Sequence, residues 1–197
     1  MSTAAASEDR VWRLAWREFA ARDDREGLRG VELVDGMLEE GEVTTRKHGR
    51  IVTRLVVLFA PWLEATGGGE LLTQDNRLKV AVRRVRKPDL LLVRRTDSPV
   101  FEDETLVSPP YLVVEVVTNT PRDERRDRVE KLADYEAARC RAYWIIDPAT
   151  DSLDVYTLGS DGLYGAAKRF EAEARVDGVE LGFPGLAFTP RQLGEER

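Results

Sequence analysis

The chain is poor in the residues that most often announce a functional site. It holds one cysteine, Cys140, and one histidine, His48, among 197 residues. A single cysteine excludes an intrachain disulfide framework and a zinc site built on thiolates, and Cys140 reads as a small packed residue. A single histidine excludes multi-histidine metal centres, and any Ser-His-Asp triad would have to run through His48. No apolar run approaches the roughly 18–20 residues a membrane-spanning helix needs. Residues 1–9 are small and acidic, not basic then apolar, so they read as a disordered leader and not a signal peptide. The cytoplasm is then the default location. The net charge of -6 argues against a chain that coats nucleic acid indiscriminately, yet it leaves room for a local basic groove. What remains is a globular composition of a length suited to one domain, taken here as residues 10–197.

Helix and strand signals alternate along that domain. Trp12, Ala15, Trp16 and Phe19 recur at helical spacing over Val11 to Ala21, and Gly27 and Gly30 end the pattern. Val31 to Val34, Asp35-Gly36 and Met37 to Glu39 read as a hairpin. Thr44 or Thr45 caps a second helix reaching about Ala65, with Ile51, Leu55, Leu58, Phe59 and Trp62 as its buried stripe. Pro61 predicts a kink or a late start in that helix. One or two strands follow between Glu70 and Val82, bent at Gln74-Asp75-Asn76, and another runs from Pro88 to Arg95. Thr96 to Pro110 reads as a polar loop. Tyr111 to Val117 is a continuous apolar run, as in strands covered on both faces. A charged helix from Asp123 to Arg139 leads to a strand at Ala142 to Ile146, and Leu153 to Leu158 alternates as a half-exposed strand. Short strands fill the tail. The pattern gives an α/β (α+β) layered fold.

Two carboxylates interrupt the apolar strands. Asp89 opens one, and Glu115 lies within another between Val114 and Val116. An ionised carboxylate buried alone costs several kcal/mol, so it pairs or binds a metal. Alternate residues of a strand share a face, which puts Glu115 with Val113 and Val117 and leaves the Val116 carbonyl available as a ligand. Acids with a lysine nearby, here Lys131, suit a hard divalent cation and phosphoryl chemistry. The plain alternatives are an ion pair from Glu115 to an arginine, and an exposed helical pair of Lys131 with Asp127.

Five segments in order carry a resemblance. Glu32-Leu33-Val34-Asp35-Gly36, Pro88-Asp89-Leu90, Leu112 to Val116, Glu130-Lys131-Leu132 to Tyr135, and Ala142 to Pro148 resemble the Uma-two family, endonucleases of the PD-(D/E)xK restriction-enzyme-like superfamily. The likeness spans roughly Trp12 to Leu193. It implies a restriction-endonuclease-like mixed central sheet flanked by helices, and hydrolysis of DNA with Mg2+ or Mn2+. It makes Asp89, Glu115 and the Val116 carbonyl the metal ligands and Lys131 the catalytic lysine. The superfamily's usual lysine position, two after the Glu, is Val117 here, and Thr118-Asn119-Thr120-Pro121 stands where the family often has Ser-Pro-Ser. Glu32 is a further acid of the site, against the alternative of an exposed hairpin residue. His48 would hold a phosphate or orient Glu32.

Basic residues flank these acids. Arg84, Arg86 and Lys87 lead into Asp89 and are expected to contact DNA phosphates. Arg122, Arg125, Arg126 and Arg128 are interleaved with acids and read as a self-paired, solvated helix. A homodimer would suit a nuclease that cuts a duplex. Two other functions remain open: a member of the fold that binds nucleic acid or protein without cutting, and a metal-dependent hydrolase of another phosphoester such as RNA or a nucleotide.

Overall fold

A computed structural model describes residues 13–41, 44–118 and 125–196 of the chain. The leader at 1–9, the start of the first expected helix, Asn119-Thr120-Pro121, Arg122 and the start of the charged helix lie outside the described residues.

Helix α1 (Trp16–Glu26) begins and ends five residues later than its apolar spacing predicts, and Gly27 ends it in the left-handed conformation at φ 63°. Strands β1 (Val31–Val34) and β2 (Met37–Glu40) form the expected hairpin. Asp35 and Gly36 both have positive φ, 50° and 83°, as a two-residue turn matching strand twist requires. Helix α2 (Arg46–Ala65) is capped by Thr45, whose hydroxyl accepts from the His48 N–H. The helix continues through Pro61. Pro61 and Val57, four residues earlier, are both exposed, so the missing hydrogen bond falls on the side where water replaces it.

Strands β3 (Gly69–Thr73), β4 (Arg77–Ala81), β5 (Arg84–Arg86) and β6 (Leu90–Arg94) follow. The stretch expected as a loop carries a small hairpin, β7 (Phe101–Glu102) and β8 (Thr105–Leu106), which joins β4 through long-range pairing that no local pattern reveals. Strand β9 (Leu112–Val116) is buried throughout. A π-helical stretch, Arg126–Lys131, runs into helix α3 (Leu132–Ala137) and on to β10 (Ala142–Asp147). Strand β11 (Ser152–Thr157) is buried over its first four residues and not half-exposed, because β10 and β12 (Lys168–Phe170) flank it. The tail adds β13 (Val176–Asp177), β14 (Ala187–Phe188) and an unforeseen helix, α4 (Pro190–Gly194), whose Thr189 and Gln192 form a capping box.

The central sheet is mixed, in the order β12-β11-β10-β9-β6-β3, with β9 and β10 parallel and the other pairs antiparallel. A second six-stranded sheet has the order β2-β1-β5-β4-β8-β7. One face of β9, Leu112, Val114 and Val116, packs with Ile51, Leu55 and Phe59 of α2. The other face, Val113 and Val117, packs with Tyr135 of α3 and with Leu78 and Leu106 of the second sheet. Glu115 shares that second face, at the seam between helix and sheet. This is the mixed, helix-flanked sheet that the sequence implies.

Candidate active site

A cleft of about 350 Å³ opens where the two sheets meet. Asp89, Glu115 and Lys131 line it, with Glu32, His48 and Arg126 beside them. Each arrives from a different element. Glu32 stands on β1, His48 in the first turn of α2, Asp89 just before β6, and Glu115 inside β9. Arg126 and Lys131 begin and end the π-helical stretch. In that stretch Arg126, Asp127 and Lys131 are all buried, turned inward together by the widened turn.

Both acids are held firmly. Val116 N–H donates to Asp89 Oδ2 at 2.8 Å, and His48 Nε2 lies 2.9 Å from Asp89 Oδ1. His48 thus contacts Asp89. Glu115 Oε2 lies 2.9 Å from Lys131 Nζ, and the Tyr135 hydroxyl donates to Glu115 Oε1 at 2.5 Å. Among the described residues Glu115 thus pairs with Lys131 and with no arginine. Asp127 does pair with Lys131, at 2.9 Å, but inside the protein and not on an exposed helix face.

The electrostatics follow from burial and crowding. Burial pushes the Glu115 carboxyl up to about 8; Lys131 opposes this, and Asp89, Asp127 and Glu32 reinforce it. For Lys131, burial alone would lower the pKa, but Glu115, Asp127 and Glu32 outweigh it and hold it above the ordinary lysine range. Glu32 behaves oppositely to Glu115. Burial would raise it, yet Lys131, Arg86, Arg126 and the Lys87 N–H bring it down to about 2. Its Oε2 accepts from Arg86 at 2.8 Å and Arg126 at 2.9 Å, and its Oε1 accepts from Lys87 N–H at 2.9 Å.

The basic residues divide differently from the sequence expectation. Arg84 and Arg86 do not line the cleft. Arg86 is 1% exposed and shared between Glu32 and Asp134, and Arg84 pairs with Asp134 and Asp35. Arg86 is held by two buried carboxylates and Arg84 by one buried and one exposed, so neither stands in the cleft where the expected phosphate contact would need it. Lys87 does reach the cleft, but its ammonium lies 2.8 Å from Asp23 and donates to the Leu28 carbonyl at 2.8 Å. From the second cluster, read as a solvated face, Arg126 is buried and lines the cleft. Sequence spacing offers Asp127 only as an exposed helical partner of Lys131 and offers Tyr135 no role; the four-residue spacing of Asp127 and Lys131 is the signal that they meet.

The donor set fits a hard divalent cation. Two carboxylates open on one cleft, and a buried acid crowded by other acids gains from a positive ion. Among the described residues no three His, Cys, Asp or Glu side chains are arranged to hold a metal ion. A cation here would take two carboxylates and complete its shell with other oxygens, as Mg2+ usually does.

A family model described as "Putative restriction endonuclease", Uma2, matches residues 16–191. The chain belongs to the Uma2 family. Among solved structures it is similar to "a putative nuclease belonging to DUF820" from Anabaena variabilis ATCC 29413. The TM-score is 0.71 at 16% identity, over 91% of this chain and 97% of the other. That likeness shows a shared fold. No curated protein matches the chain. The Uma2 match covers every residue assigned above to the acid cleft, and no helix among the described residues is long and apolar enough to cross a membrane.

Proposed function

We propose that this Uma2 protein is a metal-dependent endonuclease that hydrolyses phosphodiester bonds in DNA. One observation carries the reading: Asp89, Glu115 and Lys131 converge on a single cleft, with the lysine ammonium 2.9 Å from Glu115. Asp89 and Glu115 would hold Mg2+ or Mn2+, with the Val116 carbonyl at the end of β9 as a further oxygen. When bound, such a cation supplies charge neutralisation at the phosphate and acidifies nearby water.

The chain's own residues do the rest. His48 and the Val116 N–H aim Asp89, while Tyr135 and Lys131 aim Glu115. Lys131 stays an ammonium at neutral pH because of the acids around it. It therefore donates to a phosphoryl oxygen and offsets the charge that builds there; it does not act as a base. Glu32 shares one oxygen between two buried guanidiniums, Arg86 and Arg126, so in this reading it holds Arg126 against the cleft.

The test is cleavage of supercoiled plasmid and labelled oligonucleotides with Mg2+, Mn2+ or EDTA. Activity should require the cation and disappear in Glu115→Ala and Asp89→Ala. Undiminished cutting by Glu115→Ala would remove the assignment. RNA and nucleotide substrates run alongside separate DNA hydrolysis from other phosphoester chemistry.

A further inference from the structure

We propose that Arg126 and Arg29 form a second phosphate position beside the acid pair, which takes a phosphate of the DNA strand adjacent to the one that is cut. The proposal rests on the nuclease reading above and adds a binding position to it.

Arg126 is 5% exposed, yet it lines the cleft. Its Nη2 bonds Glu32 at 2.9 Å, and its Nη1 reaches the Glu40 carbonyl only at 3.5 Å. Its Nε is buried and has no hydrogen-bond partner among the described residues. A buried guanidinium donor left unmet costs free energy that an incoming anionic oxygen recovers. Glu32 pins the group in place, so little freedom is lost when a phosphate docks. Arg29 stands at the mouth of the same cleft, exposed, and its side chain makes no hydrogen bond or ion pair among the described residues.

Charge points the same way. The chain carries -6 overall, but the cleft walls hold as many basic as acidic side chains, four of each. A divalent cation on Asp89 and Glu115 would leave this cleft locally positive on an acidic protein, and field lines focus in such a recess. A substrate with one phosphate would place it at the acids and Lys131, leaving the Arg126 Nε and Arg29 unused. A strand brings its next phosphate to them.

The test is binding of a short fluorescein-labelled DNA duplex, followed by anisotropy with Ca2+ in place of Mg2+ between about 50 and about 200 mM KCl. Arg29→Gln and Arg126→Gln should each flatten the slope of log K against log salt by about 0.9, the loss of one phosphate contact. Arg126→Gln could weaken the fold by freeing Glu32, so its melting is followed in parallel. Arg29→Gln alters an exposed residue and reads the contact independently. A wild-type slope in Arg29→Gln overturns the proposal. If the wild-type chain still cuts plasmid, the nuclease reading stands without it; if the wild-type chain neither binds nor cuts, both fall.

Discussion

Lys131 reaches Glu115 from outside its strand, with Nζ 2.9 Å from Oε2. The residue two places after Glu115 is Val117, which is 2% exposed and packed among Leu91, Val113 and Tyr143. A lysine at that position would bury its stem in the apolar seam. The π-helical stretch supplies the charge instead, and Asp127 holds the ammonium from the other side.

Replacing Lys131 by Met should lower plasmid cleavage about 10²- to 10³-fold, the usual effect of removing one transition-state donor. It should also destabilise the fold by roughly 3–5 kcal/mol, because Glu115 and Asp127 lose their shared cation inside the protein. Urea unfolding measures the second effect, and cleavage rates are compared at matched folded fractions. A variant that is less stable but cuts at the wild-type rate would make Lys131 purely structural.

His48→Ala should leave Asp89 held by the Val116 N–H alone. Groups that orient a metal ligand typically contribute about 10- to 100-fold to metal affinity or activity. Titration with Mn2+ should therefore show weaker cation binding, and the Mg2+ concentration for half-maximal cleavage should rise. Unchanged cation affinity would show that the 2.9 Å contact does not position Asp89.

Arg86 gives the opposite contrast. Its guanidinium bridges Glu32 and Asp134 at 1% exposure, so Arg86→Met removes one cation from each of two buried acids and leaves Glu32 to Arg126 and Asp134 to Arg84. The expected cost is about 3–5 kcal/mol in urea unfolding. The salt dependence of DNA binding, measured where the variant remains folded, should match the wild type. A flatter slope would return Arg86 to the phosphate-binding set.

Acid stability should carry the signature of Glu32. Its folded pKa, about 2, lies below the ordinary 4.5. Its contribution is therefore fully present above pH 4.5 and is lost as pH falls toward 2, with a size of roughly 3 kcal/mol. Glu32→Gln lacks this contribution, so the stability gap between wild type and variant should narrow over that window. A gap independent of pH would mean that the arginine pairing does not hold Glu32 ionised.

Local signals carried much of the fold. Asp35-Gly36 demanded its hairpin, Thr45 its helix start, and the unbroken apolar run around Val114 its buried strand. Period-two alternation alone put Glu115 on the face of Val113 and Val117, where the structure has it. Long-range pairing was not readable. The hairpin at Phe101 to Leu106 exists because β4 lies alongside it, and β11 is buried because two strands flank it. The arginines failed for a related reason. Charge counts cannot tell which guanidinium meets a buried acid, and the fold makes both Arg86 and Arg126 buried partners of Glu32.

The parallel pairing of β9 with β10, Ile145 opposite Glu115, has a consequence for assembly. Parallel neighbours require a crossover, and here the crossover itself delivers Arg126, Asp127 and Lys131. A growing chain that has emerged only as far as β9 carries both acids but no ammonium between them. Lys131 joins Glu115 only once that crossover has folded, and β10 anchors the crossover to the sheet, so a β10 that peels away would loosen the residues that complete the cleft.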